Sequence, residues 1–269
     1  GIVGLPFAFL HLGVPLALGV TVLSGWLTLV SCKLYLEARS MCPWKLDSIY
    51  EVGYAIFGRA SIFWISGVWL VNSLGLVMVY FIVFGETAHS LWVDLHGQGF
   101  LTSGKEAFII VVAVCLYPLV LAEEMKELKL ASYLLFGTLM AFIIILVGQL
   151  LWEGSKGSWE QYSGFELNLD FVKGLSIVLV SFTFQYNIFP AYATLRAPSI
   201  ESCMSACRQA VFSTFIIYCI TAVVALAYFG SALKEDVLIN VAYQSNRQTS
   251  VILRALFLVL LGCHIPFVQ

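Results

Sequence analysis

Charged residues fall in clusters along this chain, and the intervals between the clusters are apolar. No Asp, Glu, Lys or Arg occurs in 1–32, 60–85, 107–122, 130–152, 174–195, 209–233 or 255–269. A helix crossing about 30 Å of hydrocarbon needs roughly 20 apolar residues, so every interval but the first predicts one span. The first is too long for a single span and is interrupted by Pro6, Gly13 and Pro15. It predicts the tail of one helix, a tight turn and then a full helix. The expected segments are 1–10, 14–36, 61–85, 107–122, 131–152, 172–192, 209–230 and 250–269, with 107–122 the shortest. Because the chain opens on Gly1 and stops at Gln269 inside a hydrophobic run, it reads as a single transmembrane domain truncated at both ends.

Composition agrees. Only 11% of the 269 residues are charged and 60% are hydrophobic, where a soluble domain carries about 25% charged residues and could not hide so much apolar surface. The expected class is an all-α polytopic membrane protein whose partner is the lipid bilayer. A formal net charge of −2 gives no basic face for a nucleic acid. If the loop after the second segment is cytoplasmic, Lys and Arg favour that side, led by the clusters Lys33–Arg59 and Lys126–Lys129. Arg254 and Lys173 then fall in outer connections. His89 and His96 also fall in an outer loop, as exposed polar residues. None of the seven cysteines falls in an expected outer loop. Cys203 and Cys207 share a helical face, but a metal site would need further ligands at suitable spacing, so both read as small packing residues.

Soluble-enzyme motifs are absent, and the spans hold neither paired carboxylates nor a His-rich metal cluster; an enzyme is not expected. Chemistry in such a chain is best sought where helix is broken, because freed backbone groups are costly in lipid unless they line a cavity or bind something. Two strings predict breaks. In Gly1-Ile2-Val3-Gly4-Leu5-Pro6, two glycines let the chain leave the helix and Pro6 lacks a donor. A half-helix starting near Leu5 would aim its free N–H groups at whatever sits before it and could receive a carboxylate; close packing of an ordinary Gly/Pro-containing helix competes with that reading. In Ser181-Phe182-Thr183-Phe184-Gln185-Tyr186-Asn187-Ile188-Phe189-Pro190, Thr183, Gln185 and Asn187 are polar in an apolar span that ends at a proline. A substrate site and a self-satisfied polar network compete there.

These strings carry a resemblance. Gly1 to Phe9, followed by Gly13, is similar to the first-helix signature of the amino acid/auxin permease family. Gln185-Tyr186-Asn187-Ile188-Phe189-Pro190-Ala191-Tyr192, with Leu195 and Pro198 after it, resembles the sixth-helix pattern of its sodium-coupled neutral amino acid transporter-like members. Tyr50–Gly58 and His264-Ile265-Pro266 also fit. Thr194 stands where that pattern has a glutamate. The resemblance covers essentially the whole chain. It implies a fragment of an inverted-repeat (5+5, LeuT/APC-type) transporter bundle in which broken helices one and six meet at mid-membrane.

The activity so implied is secondary active symport of small neutral amino acids, with no cofactor beyond the coupling ion, H+ or Na+. The membrane would be the plasma membrane or a vacuolar/lysosomal one. Substrate contacts are expected at Gly1, Ile2, Val3, Gly4, Ser181, Thr183, Gln185 and Asn187. The substrate carboxylate would cap the half-helix and its ammonium would meet carbonyls around Ser181–Thr183, while Gln185 and Asn187 would tune side-chain choice or brace the break. Ion coupling is expected at Gly1 and at His264, which titrates near physiological pH; a neutral, hydrogen-bonded histidine is the competing reading. Asn72 and Tyr80 are secondary candidates. An amino-acid-sensing membrane protein that binds without sustained flux is the alternative function.

Overall fold

Among the described residues the expected segments are helical except at 2–4 and 182–187, and most of the helices run past the expected ends. A computed structural model describes residues 2–41, 48–96, 109, 110, 114, 127–155, 162, 164, 167–195, 198–242 and 247–268. In it α1 spans Leu5–Leu12, α2 Val14–Met41, α3 Ile49–Phe57, α4 Ala60–His96 and α5 Glu127–Glu153. Then come α6 (Leu169–Ser181), α7 (Ile188–Ala193), α8 (Ile200–Phe229), α9 (Val237–Ala242) and α10 (Arg247–Val268). Single 3-10 turns occupy Gln185–Asn187 and Gly230–Ala232. All but 109, 110 and 114 of the expected segment 107–122 lie outside the described residues. Among the described residues four helical stretches are long and apolar enough to cross a membrane: Val14–Met41, Ala60–Leu95, Phe136–Glu153 and Ile200–Ala232.

Caps and charged first turns account for the extended boundaries. The expected start at 209 moves back to 200 because the Ser199 side chain accepts from the Ser202 N–H at 3.1 Å. Ser48 caps α3 in the same way. At the far end of α2, Lys33 pairs with Glu37 at 3.5 Å along the helix. Helix α4 continues through His89, which is therefore a half-buried helical residue and not part of an outer loop.

The chain divides into two compact units, 1–69 with 156–235 and 70–155 with 236–269. In the first, the short α1 packs against α2, α6 and α8, and Leu5, Ala8, Phe9 and Leu12 are fully buried. Gly174 lets α6 approach α1: a Cβ there would stand 3.2 Å from the Ala8 Cα. Gly13, at φ +74°, makes the turn into α2, and a Cβ on it would lie 2.8 Å from the Gly164 carbonyl oxygen; only glycine fits. Helices α2 and α8 run antiparallel, with Gly25 facing Val211 and the free thiol of Cys32 in hydrogen-bond contact with that of Cys207.

In the second unit α5 packs on α10, with Phe142 and Phe257 ring centroids 6.0 Å apart. Here Arg254 corrects the sequence reading. It lies within α10 with 1% of its surface exposed, and its guanidinium is satisfied by the Asp94 carboxylate, Ser90 Oγ (3.1 Å), Ser250 Oγ (3.0 Å) and the Ser250 carbonyl (3.3 Å). Paired in this way, a charge survives burial.

Candidate functional site

Residues 2–4 form a turn, and regular helix begins at Leu5. Pro6 sits in the first turn, where a missing donor costs nothing. No side chain caps α1, so the first-turn N–H groups and the positive end of the helix dipole are available to a ligand. Gly4 must be small, since a Cβ on it would lie 3.3 Å from Ile177 of α6 and 3.6 Å from the Glu235 carbonyl oxygen. Gly1 lies outside the described residues.

The second break falls where the polar string predicts it. Helix α6 starts at the Asn168 cap, whose side chain accepts from the Phe171 N–H at 2.8 Å, and it stops at Ser181. Phe182 leaves the helix, and the Thr183 and Phe184 amides fold back onto the carbonyls of Val180 (3.1 Å) and Phe182 (3.1 Å). The 3-10 turn Gln185–Asn187 follows, and helix resumes at Ile188. There is no glycine in the break, so outside groups hold it open.

Those groups are specific. The Tyr218 hydroxyl of α8 donates to the Ser181 carbonyl at 3.2 Å. The Thr28 hydroxyl of α2 donates to the Phe182 carbonyl at 3.0 Å and accepts from Gln185 Nε2 at 3.1 Å. The Phe182 ring is buried edge-on against Tyr218, with centroids 5.4 Å apart, and against the Gly25 surface. Gln185 therefore braces the break. The Ser181 hydroxyl bonds back to the Ile177 carbonyl at 2.6 Å, while Thr183 and Asn187 are exposed. Both breaks belong to the first unit, and Gly4 packs one turn before Ser181 on α6.

Sequence reasoning missed Thr28 and Tyr218. A signal for Thr28 was present: Thr21, Ser24, Gly25, Thr28 and Cys32 form a buried stripe of small and polar residues at helical spacing along α2. Nothing local marks Tyr218.

Other candidates lie elsewhere. Asn72 is exposed and Tyr80 half-buried on α4, both in the second unit. His264 is in α10, and its side chain is outside the described residues. Cys203 and Cys207 acquire a third thiol, Cys32, and Cys207 bonds to both of the others. All three are buried and pack against Ile188 and Phe189 of α7. Among the described residues no group of three ligating side chains has a metal site's geometry.

A helical membrane chain whose sixth predicted segment is opened, and whose first helix begins from a turn packed on that segment's helix, fits a class that places ligands on unwound backbone. The chain belongs to the transmembrane amino acid transporter protein family, whose model matches residues 1–268. It is 22% identical over 285 residues to amino acid transporter AVT6D of Arabidopsis thaliana, covering all of this chain and 64% of that protein. Solute carrier family 38 member 10 of Rattus norvegicus is 23% identical over 252 residues, 92% of this chain and 22% of its own length. Amino acid transporter AVT6E of Arabidopsis thaliana is 23% identical, with 89% and 51% covered. The chain thus spans less than two thirds of each of these relatives. No solved structure matches it.

Proposed function

We propose that the full protein is a secondary active transporter of small neutral amino acids, driven by a proton or sodium gradient. The observation that carries this reading is the opened segment at 182–187, continuous with the helix α6 on which the turn at 2–4 packs, in one unit of a chain from an amino acid transporter family. The substrate carboxylate caps α1, against the backbone of Ile2, Val3 and Gly4. Its ammonium takes the second lone pair of the Ser181 carbonyl, whose first is used by Tyr218, and the Thr183 carbonyl; the Phe182 carbonyl is already filled by Thr28 and the Phe184 N–H. Thr183 and Asn187 face the substrate, and Gln185 keeps the break in shape. Gly1 and His264 serve the coupling ion, and the protein works in the plasma membrane or in a vacuolar or lysosomal membrane. Relatives named as amino acid transporters, and the resemblance to sodium-coupled members, support the substrate class.

The test is counterflow of labelled neutral amino acids in liposomes carrying the full-length protein, with and without sodium and at two pH values. Exchange that follows one of the two ions supports the proposal. Binding without exchange replaces it with a sensor, and no binding at all removes it. His264→Gln isolates the coupling ion: unchanged pH dependence of uptake would remove the proton role.

A further inference from the structure

Beside the opened turn of residues 2–4, the first unit holds a cavity of about 340 Å³ lined by Phe7, Val172, Lys173, Ser176, Ile177 and Glu235. Ligand cavities run from about 300 to 1,000 Å³, so this one is of a size for a small molecule. Its wall is apolar at Phe7, Val172 and Ile177 and carries both signs of charge. Lys173 Nζ lies 2.6 Å from Glu235 Oε1 and 3.2 Å from Asp170 Oδ1. Two of the lining residues also touch the break, since Ile177 and the Glu235 carbonyl are what a Cβ on Gly4 would meet.

We infer that this cavity is an outer subsite, on the Gly13 side of the first unit, where a zwitterionic amino acid docks before it reaches the opened turns. The inference rests on the transport reading above and adds a second, earlier site to it. The Lys173–Glu235 pair spans the cavity but holds weakly, because the two side chains are 40% and 63% exposed and exposed pairs contribute little. An amino acid replaces it at small cost: its carboxylate takes Lys173, and its ammonium takes Glu235 and the lone pairs of Ser176 Oγ, whose proton is already given to the Val172 carbonyl at 2.9 Å. The substrate side chain then lies on Phe7 and Ile177, which favours apolar side chains over charged ones. Opening the pair also frees the Glu235 side chain from α6.

Uptake from the Gly13 side by the full protein in liposomes tests this with Lys173→Met and Glu235→Gln. Each variant should raise KM about five- to tenfold, the loss of one charge-assisted contact, with kcat nearly unchanged. As a second measurement, Ser176→Cys is introduced with the native cysteines of the full protein replaced and with Gln185→Ala disabling the inner site. Leucine at saturating concentration should still slow labelling of Cys at 176 by a charged methanethiosulfonate. Wild-type KM in both charge variants, or labelling that leucine leaves unslowed, would overturn the subsite while leaving the transport reading intact. Absence of uptake by the wild-type protein is a failure of the transport reading, and leucine protection at position 176 then decides the subsite by itself.

Discussion

Replacing Thr28 by Val keeps the volume of the side chain and removes the hydroxyl that ties α2 to the break in the sixth segment. The Phe182 carbonyl and the Gln185 amide both lose a partner in a buried place, at a cost of about 1–3 kcal/mol. Thermal unfolding of the detergent-solubilised full protein should show a clear drop in Tm for Thr28→Val. Ser24→Ala should change it little, because that hydroxyl only returns to the Val20 carbonyl one turn back at 2.8 Å. Equal drops would mean that Thr28 does no more than any buried hydroxyl on α2.

Asp236 gives a residue-scale prediction about pH. Its carboxylate accepts from the Leu238 N–H at 2.7 Å at the start of α9. Burial raises its pKa from the ordinary carboxylate value to about 6; the Leu238 bond opposes that rise and the charge of Glu86 adds to it. A folded-state pKa above the unfolded one means that the folded chain holds the proton more tightly. The stabilisation is therefore full below the ordinary carboxylate pKa and is lost as pH rises through about 6. Hydrogen exchange corrected for intrinsic rates should show the amides of Leu238 and Ile239 better protected at pH 5 than at pH 7. Asp236→Asn should flatten that dependence, and a flat wild-type profile would refute it.

At the scale of elements, the tie between α4 and α10 is the sharpest test of packing. Asp94→Leu strands a guanidinium that is 1% exposed and should destabilise the protein by about 3 kcal/mol, the low end for a broken buried pair, because Asp94 itself is 40% exposed. The double variant Arg254→Met/Asp94→Leu should recover most of that loss, since a buried pair replaced by apolar groups is often neutral. A double variant as unstable as the single one would mean that Ser90 and Ser250, not Asp94, hold Arg254 in place. The same pair shows why element ends were hard to read. A charge-free interval beginning at 255 counts Arg254 with the outer connections even though the expected segment 250–269 contains it, because a paired, buried arginine and an exposed one are the same letter. The start of α8 was displaced for a related reason: Glu201 and Arg208 lie inside helix, whose beginning is set by the Ser199 cap rather than by apolarity.

For the whole molecule, long apolar helix was legible because lipid demands it, and four helices of that kind lie among the described residues; the helix start at Leu5 and the opening after Ser181 were legible because each leaves a local mark, Gly4-Leu5-Pro6 in one and Thr183 to Pro190 in the other. The braces that hold the second break, Thr28 and Tyr218, come from helices far away in sequence and leave no such mark; nor does Cys32 announce that it meets Cys207. The antiparallel pairing of α2 with α8 now fixes a topology within the first unit. The Gly13 turn and the Gly230–Ala232 turn lie at one end of these two spans, and Met41 and Ser199 at the other. Single cysteines at Ser40 and at Ser231, both exposed, in a cysteine-free full-length protein should therefore label from opposite sides of the membrane. A membrane-impermeant maleimide added to intact cells, or to intact isolated organelles where the protein resides in them, should modify one of them only, and permeabilisation should expose the other. A slight excess of Lys and Arg on the Met41 side favours a cytoplasmic Met41 side, so position 231 should be labelled first in intact cells if the protein lies in the plasma membrane, and position 40 first in isolated organelles if it lies in a vacuolar or lysosomal one. Labelling of both positions in intact cells would show that α2 and α8 do not each cross the bilayer once, and the substrate path argued from their pairing would lose its frame.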